Sequence, residues 1–494
     1  MVTHPMNYMA IDLGAESGRA TLGEFDGDRL HLVEVHRFPN SPVRLPDGLH
    51  WDVLRLLSEI KDSIGLVARK QGKQLASIGL DTWGVDFGLL DRKGGLLSNP
   101  YHYRDNRTDG MIEEAFRRLP REQIFELTGI QFMPINSLYQ LLSMVVSQSP
   151  LLEAAETFLT IPDLFNYWLS GEKLCEFSNA TTTQCYDTRL NTWSEPLLTV
   201  MGIPRHIFPQ IIAPGTIIGP LLPAVAEETG ASAVPVIAPA CHDTGSAVAA
   251  VPATGKNFAW ISSGTWSVMG SESPAPIITP SSLKFNFTNE GGVNGTFRFS
   301  KNIAGLWLMQ ECRRTWITQG EEHSYDELTQ WATKAAPFES LIDPDYSEFA
   351  KPGDMPTRIQ AYCQHTSQPV PKSKGAIVRC VLESLALKYR FVFERLESMV
   401  GDRLEPLHIV GGGTKNRLLN QFTADATGRQ VITGPVEATA IGNTLMQAIA
   451  LKHINSLAEG RQVVARSFEL ETYEPRDCQK WDDVFQRFAG LIEQ

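Results

Sequence analysis

The residues most suited to chemistry lie in Cys241-His242-Asp243-Thr244-Gly245, which follows an apolar strand-like stretch at residues 234–239. A carboxylate at a strand end, flanked by a hydroxyl and a glycine, suits a general base that takes a proton from a substrate hydroxyl. The same Asp243 would serve equally as the N-cap of a helix over 246–251. His242 fits either a hydrogen bond to substrate or a packed imidazole. A second constellation is Asp12-Leu-Gly-Ala-Glu-Ser-Gly-Arg19: a strand ending in a carboxylate, then Gly14, Ser17, Gly18 and Arg19 in a turn. Backbone N–H groups in such a turn form a concave anion site, and the small residues admit a phosphate. Asp12 could hold Mg²⁺, directly or through water; an ordinary hairpin with a solvent-facing aspartate carries the same pattern. Ser262-Ser263-Gly264-Thr265-Trp266-Ser267 repeats this turn in the second half. Two such hairpins, one per half, fit a nucleotide held between two domains. Val410-Gly-Gly-Gly-Thr414 opens a helix at a strand end, which suits a nucleotide or only a tight strand–helix turn. Asp81-Thr-Trp-Gly-Val-Asp86 offers the carboxylates, hydroxyl and indole that bind sugars, and suits a buried strand pair as well.

The elements that position these groups follow from periodicity. Residues 8–12, 19–25 and 30–38 read as a three-stranded meander, with Asp26-Gly27 as the hairpin turn. Leu54, Leu57, Ile60, Ile64 and Val67 predict a helix over 51–70. Strands are expected at 76–81 and 85–91. The second half repeats a strand–glycine turn–strand unit at 257–271. It then carries a long helix at about 375–400, whose apolar residues 378, 382, 385, 389, 392, 396 and 399 form one stripe. A strand at 406–410, a helix at 416–427 stopped by Gly428, a strand at 429–433 and a helix at 438–451 complete it. The pattern predicts an α/β protein of two related domains, with the boundary at 251–255.

Composition bounds the partners. The chain of 494 residues is too long for one core and carries a net charge of −12, a poor match for nucleic acid. The seven cysteines are an odd number with no CxxC, so free thiols are expected, although Cys363 and Cys380 would pair if the fold brought them together. No apolar run approaches a membrane span, and the N-terminus lacks a signal-peptide pattern, which predicts a cytoplasmic protein. The P-loop, GxGxxG, HExxH, GxSxG and protein-kinase motifs are absent from the sequence.

Taken together and in order, the stretches SIGLDTWGVDFGLLD, YRDNRTDG, TGIQFMPINSLYQL, SNATTTQ, CHDTGSAV, SSGTWSVMGSES, TNEGG, KNIAGLWLMQ, LHIVGGGTKNRLLNQ and GPVEATAIGN resemble the FGGY family of carbohydrate kinases over residues 9–451. The resemblance implies two actin-like, Hsp70-like (ribonuclease H-like) ATPase domains with a cleft between them. Residues 1–250 would carry the sugar side and first phosphate hairpin, and 251–494 the nucleotide side. Within the family it is nearest to kinases of L-rhamnulose, implying γ-phosphoryl transfer from ATP to the 1-hydroxyl of that ketose. A kinase for another ketose, such as L-fuculose or L-xylulose, is the alternative, and a non-kinase nucleotide-binding protein of the actin or Hsp70 type a distant one. Matched residue by residue, ATP would be bound by Ala15, Glu16, Ser17, Gly18, Arg19, Thr265, Gln310 and Gly412. Gly84, His242, Asp243, Thr244 and Asn302 would hold the sugar, with Asp243 as base and Asp12 at Mg²⁺. Glu16 stands where the family usually has Ser or Thr, and is expected to point away or to act through Mg²⁺ or water. No nucleic acid or membrane partner is implied, and the chain is expected to be a monomer or homodimer.

Overall fold

Met6–Leu13, Ser17–Phe25 and Leu30–Pro39 form the antiparallel meander that their alternation requires, with Asp12 opposite Arg19 and Leu13 opposite Gly18. Asp26 closes the second hairpin: its Oδ1 accepts from the backbone of Asp28 at 2.8 Å and Arg29 at 2.7 Å, while Gly27 supplies φ +102°. These relations come from a computed structural model that describes residues 5–70 and 74–492. The chain divides into two units. The first comprises residues 1–254, 272–299 and 438–467, and the second 255–271, 300–437 and 468–494.

In the first unit, Ser77–Thr82 pairs in parallel with Met6–Leu13, and Pro235–Ala238 pairs in parallel with Ser77–Thr82. Thr216–Pro220 closes that edge antiparallel, giving a six-stranded mixed sheet. The central strands are covered on both faces, so Met9, Ile11, Ile78 and Leu80 are fully buried. The first helix is Val53–Gly65, continued by a π turn at Leu66–Lys70 and capped by Asp52, which accepts from the Arg55 N–H. Its buried face is Val53, Leu56, Ile60, Ile64 and Val67 rather than the face through Leu54 and Leu57; Leu54 is 59% exposed. At about 100° per residue Val53 lies within about 20° of Ile60 around the helix, whereas Leu54 falls on a flank. The strand expected at 85–91 is shortened to Phe87–Leu90. Ala438–Ala450 packs along Asp243–Ala249 so closely that a Cβ on Gly442 would lie 1.8 Å from the Ser246 carbonyl oxygen.

The second unit is built on Trp266–Ser273, Ala259–Ser263, Leu407–Val410, Val431–Thr433 and Glu471–Tyr473, in that order, with the middle three parallel. Its long helix is Lys374–Val400, started by the Ser373 side chain and ended by Gly401 at φ +82°. Val378, Leu382, Leu385, Tyr389, Val392 and Leu396 are buried as the stripe predicts, whereas Met399, in the last turn before Gly401, is only partly buried. Asn416 proves to be the cap of Arg417–Thr427 rather than its first turn, accepting from Leu419 N–H at 3.0 Å. All seven cysteines are free thiols.

Candidate active site

Three carboxylates gather at the carboxyl ends of three adjacent parallel strands of the first unit, the edge where open α/β sheets bind ligands. Asp12 and Asp81 are direct register partners near the ends of Met6–Leu13 and Ser77–Thr82. The chain after Pro235–Ala238 reaches the same edge: Thr82 N–H donates to the Cys241 carbonyl at 2.9 Å, and His242 bridges Thr82. Asp243 follows. It is the first residue of Asp243–Ala249, and His242 occupies the cap position, so the reading of Asp243 as N-cap is corrected. Its Oδ1 accepts from Thr244 N–H at 2.5 Å and Thr244 Oγ1 at 3.1 Å, and its side chain remains 31% exposed.

Burial pushes the Asp81 carboxyl well above the usual range, and the charges of Asp12 and Asp243 push it further, against a 2.6 Å hydrogen bond from Asn443 Nδ2. Asp81 Oδ1 is buried without a hydrogen-bond partner among the described residues. Asn443 is itself held by Gln447 Nε2 at 2.7 Å, and Gln447 Oε1 accepts from Ser77 Oγ at 2.7 Å. Asp12 pairs with Arg19 at 2.8 Å, so two residues assigned separate roles from the sequence, one at metal and one at ATP, form one ion pair. Among the described residues no group of three or more His, Cys, Asp or Glu is placed to enclose a metal ion. The neighbouring carboxylates of Asp12 and Asp81 fit Mg²⁺, which binds proteins through one or two carboxylates and keeps several waters. The turn at residues 14–18 is tightened by Gly14 N–H on the Ser17 carbonyl at 2.9 Å and by Asn40 Nδ2 on the Gly14 carbonyl at 2.8 Å. Glu16 is exposed on it. Gly18 is required there, since a Cβ would meet the Phe38 ring at 2.2 Å.

The Asp81–Asp86 turn is a buried scaffold. Asp86 accepts from Trp51 Nε1 at 2.6 Å, Trp83 Nε1 at 3.0 Å, Gln140 Nε2 at 2.8 Å and Tyr103 N–H at 3.2 Å. Burial raises its carboxyl to about 6, and these donors limit the rise. Val85 sits at φ +69°, a conformation β-branched residues avoid. Thr182 Oγ1 holds its N–H at 3.0 Å, while Ser137 and Gln140 hold its carbonyl. Gly84 lies within this fixed turn, buried against Thr182. Three charged residues to which sequence reasoning gave no role support the His242–Asp243 loop. Glu176 Oε2 accepts from Cys241 N–H at 2.9 Å and from Ser178 Oγ at 2.6 Å, and Ser178 Oγ in turn accepts from His242 N–H at 3.0 Å. Arg298 and Glu290 flank the His242 ring, with Arg298 Nη2 2.8 Å and Glu290 Oε2 3.2 Å from Nδ1. His242 is therefore neither simply packed nor simply open. The stretches around these residues carried the family resemblance, but no local spacing marks them.

In the second unit, Thr265 lies in the turn between Ala259–Ser263 and Trp266–Ser273. The backbone of Leu306 and Trp307 closes on that turn, donating to the Gly264 carbonyl at 3.0 Å and the Thr265 carbonyl at 3.1 Å. Gln310 follows in Trp307–Thr318, and Asn302 lies in Phe297–Ala304. Ser262 pairs with Val410, which brings the glycine run to the same strand ends. Gly411 adopts φ +90°, and a Cβ on Gly413 would strike Ser263 Oγ at 2.0 Å. A Cβ on Gly412 would meet nothing within 4 Å. Two glycines therefore serve packing, and the third presents an open backbone surface.

Family models for the N- and C-terminal domains of FGGY carbohydrate kinases match residues 7–250 and 259–451. The chain belongs to the FGGY family of carbohydrate kinases. A rhamnulokinase from Bacteroides thetaiotaomicron is 46% identical over 98% of this chain and 99% of that protein. One from Bacillus subtilis is 38% identical over 99% of both. The crystal structure of a gluconate kinase from Lactobacillus acidophilus matches with TM-score 0.82 at 16% identity, over 99% of this chain and 98% of that one. A xylulose kinase from the same organism gives 0.81 at 15%, over 99% and 98% of the two chains. The α/β, actin-like and ribonuclease H-like fold expected from the sequence is therefore that of this FGGY kinase, an ATP-dependent enzyme. Among the described residues no helix is long and apolar enough to cross a membrane.

Proposed function

We propose that this FGGY kinase transfers the γ-phosphoryl group of ATP to the 1-hydroxyl of L-rhamnulose, giving L-rhamnulose 1-phosphate and ADP. The observation that carries the reading is full-length similarity, at 38–46% identity, to several rhamnulokinases. The Asp243 carboxylate accepts the hydroxyl proton as the sugar oxygen attacks the γ-phosphorus and the bond to ADP breaks. Phosphoryl transfer leaves little covalent work for protein groups, so positioning and charge dominate. Gly84, His242, Thr244 and Asn302 orient the ketose. The turn at Ala15, Glu16, Ser17, Gly18 and Arg19, together with Thr265, Gln310 and Gly412, receives ATP. The exposed Glu16 side chain acts at most through water, since a carboxylate against phosphate would repel it. Asp12, beside Asp81, would hold Mg²⁺ through its water shell, where the ion offsets phosphate charge. The kinase works in the cytoplasm as a monomer or homodimer, with residues 1–250 as the sugar domain and 251–494 as the nucleotide domain. A coupled ADP-release assay over L-rhamnulose, L-fuculose, L-xylulose, D-xylulose and glycerol tests the substrate. Sites that hydrogen-bond particular hydroxyls strongly reject sugars lacking them, so kcat/KM should be highest for L-rhamnulose. A higher value for any competitor refutes the assignment.

A further inference from the structure

We infer that Arg298 and Glu290 are positioning residues for Asp243, acting through the tautomer of His242; the inference rests on the reading of Asp243 as the base. Arg298 is fully buried. Its Nε donates to the Gly291 carbonyl at 2.8 Å, and its Nη2 donates to Glu290 Oε2 at 3.0 Å and meets His242 Nδ1 at 2.8 Å. A guanidinium stays protonated in proteins and carries donors only. Its approach at 2.8 Å makes Nδ1 an acceptor, with one Nη2 proton directed to Nδ1 and the other to Glu290 Oε2, which stands 3.2 Å from the same ring nitrogen and shares that Nη2 group with it. A neutral imidazole has one donor and one acceptor, so the ring proton is on Nε2.

Nε2 lies 3.4 Å from Asp243 Oδ1. That oxygen already accepts from the Thr244 N–H and hydroxyl, which leaves Oδ2 for the substrate hydroxyl, and a proton on Nε2 faces Oδ1 from a distance longer than a hydrogen bond. The opposite tautomer would present a lone pair to the carboxylate and turn it away. Packing alone does not call for this arrangement. Arg298 Nη1 is buried without a hydrogen-bond partner among the described residues, and apolar side chains of similar volume often replace buried ion pairs without loss of stability. A partner that sets the tautomer of a working histidine is a recurrent device in active and metal sites.

The test uses the full chain with ¹⁵N-labelled histidine, the His242 signals being assigned by their loss in His242→Gln. The expected result is an unprotonated Nδ1 and a protonated Nε2; a proton on Nδ1 overturns the inference without any variant having to fold. Glu290→Gln/Arg298→Met removes the pair as a unit. It should show mixed tautomers and a kcat lower by about 10–100-fold, the scale on which outer partners of functional histidines act, with KM for ATP unchanged. Arg298→Lys, which keeps one donor for Nδ1, should recover part of that loss. A double variant with wild-type melting and kcat within twofold of wild type reduces the pair to a structural role and overturns the inference. Wild-type enzyme that ignores ketoses overturns the reading of the function instead, and the imidazole signals are read independently of it.

Discussion

Gly442→Ala sets two opposed effects against each other, and their sizes decide the sign. Alanine in the middle of a helix such as Ala438–Ala450 is worth about 1 kcal/mol over glycine. The added Cβ, however, would lie 1.8 Å from the Ser246 carbonyl oxygen and 2.6 Å from its carbonyl carbon. Carbon–oxygen contacts settle near about 3.3–3.6 Å, so the two helices must part by about 1.5 Å. Both obstructing atoms are backbone and cannot swing aside. Parting would also open the small cluster of Ala240, Ala249, Val293 and Met446. Overpacking of this kind costs about 1–3 kcal/mol, and the absence of a flexible neighbour puts it at the upper end. The net loss is then about 1–2 kcal/mol, or a fall in Tm of about 2–8 °C in a domain of this size. Asp243 shares the displaced helix with Ser246, and misplacement by about 1 Å can cost about 100-fold in rate. The variant should therefore combine a lower Tm with a kcat reduced by about 10–100-fold, measured well below the transition. Gly460→Ala is the control: its Cβ would lie 3.4 Å from a Leu445 methyl, an ordinary contact, so its Tm should hold or rise. Gly442→Ala enzyme that melts at or above wild type with full kcat refutes the packing argument.

Asp243→Asn keeps the shape but removes the proton acceptor, so kcat should fall by about 10²–10⁴-fold with wild-type Tm and KM for ATP; near-normal turnover of the folded variant would remove Asp243 from the chemistry. Gly412→Ala should leave Tm unchanged, since its Cβ meets nothing, and raise KM for ATP severalfold; an unaltered KM would show that the nucleotide does not approach that surface. Burial pushes the Asp163 carboxyl up to about 7, against its hydrogen bond from Thr160. A raised carboxyl contributes stability that is full below about pH 3.8 and is lost as pH rises through about 7, so Asp163→Asn should flatten the fall in Tm over that window; parallel wild-type and variant curves would refute the shift.

The meander, the long helix and the glycine turns were legible in the sequence because each rests on local spacing: alternation at 8–12 and 19–25, the stripe from 378 to 396, and Gly411 and Gly413 beside Ser263. The helix at 53–65 shows the limit of that reasoning. Leu54 and Leu57 are as apolar as Val53 and Leu56, and only the Asp52 cap and the sheet beneath set the phase. The supports of the candidate site were less legible still. Glu176 acts on Cys241, Arg298 on His242 and Asn443 on Asp81, across separations of 65, 56 and 362 residues. Such partners are fixed by tertiary packing, which no local period encodes. The Asp81–Asp86 stretch suits sugar ligands and a buried strand pair alike by residue type; it is burial, with the Trp83–Asp86 hydrogen bond turned inward, that local spacing does not encode.

The first unit is assembled from three separate stretches of chain, and this has a consequence for synthesis. Asp81 leaves the ribosome 362 residues ahead of the asparagine that hydrogen-bonds it. At about 5–20 residues per second that delay is about 20–70 s, throughout which the sheet edge lacks the helix bearing Asn443. Most of the first unit's sheet can pair early, because its six strands all precede residue 239. Its acidic edge cannot be completed until helix Ala438–Ala450 has been made. A nascent chain stalled before that point should therefore be protease-sensitive around residues 240–250, and the same interleaving forbids expressing residues 1–254 as a self-sufficient fragment.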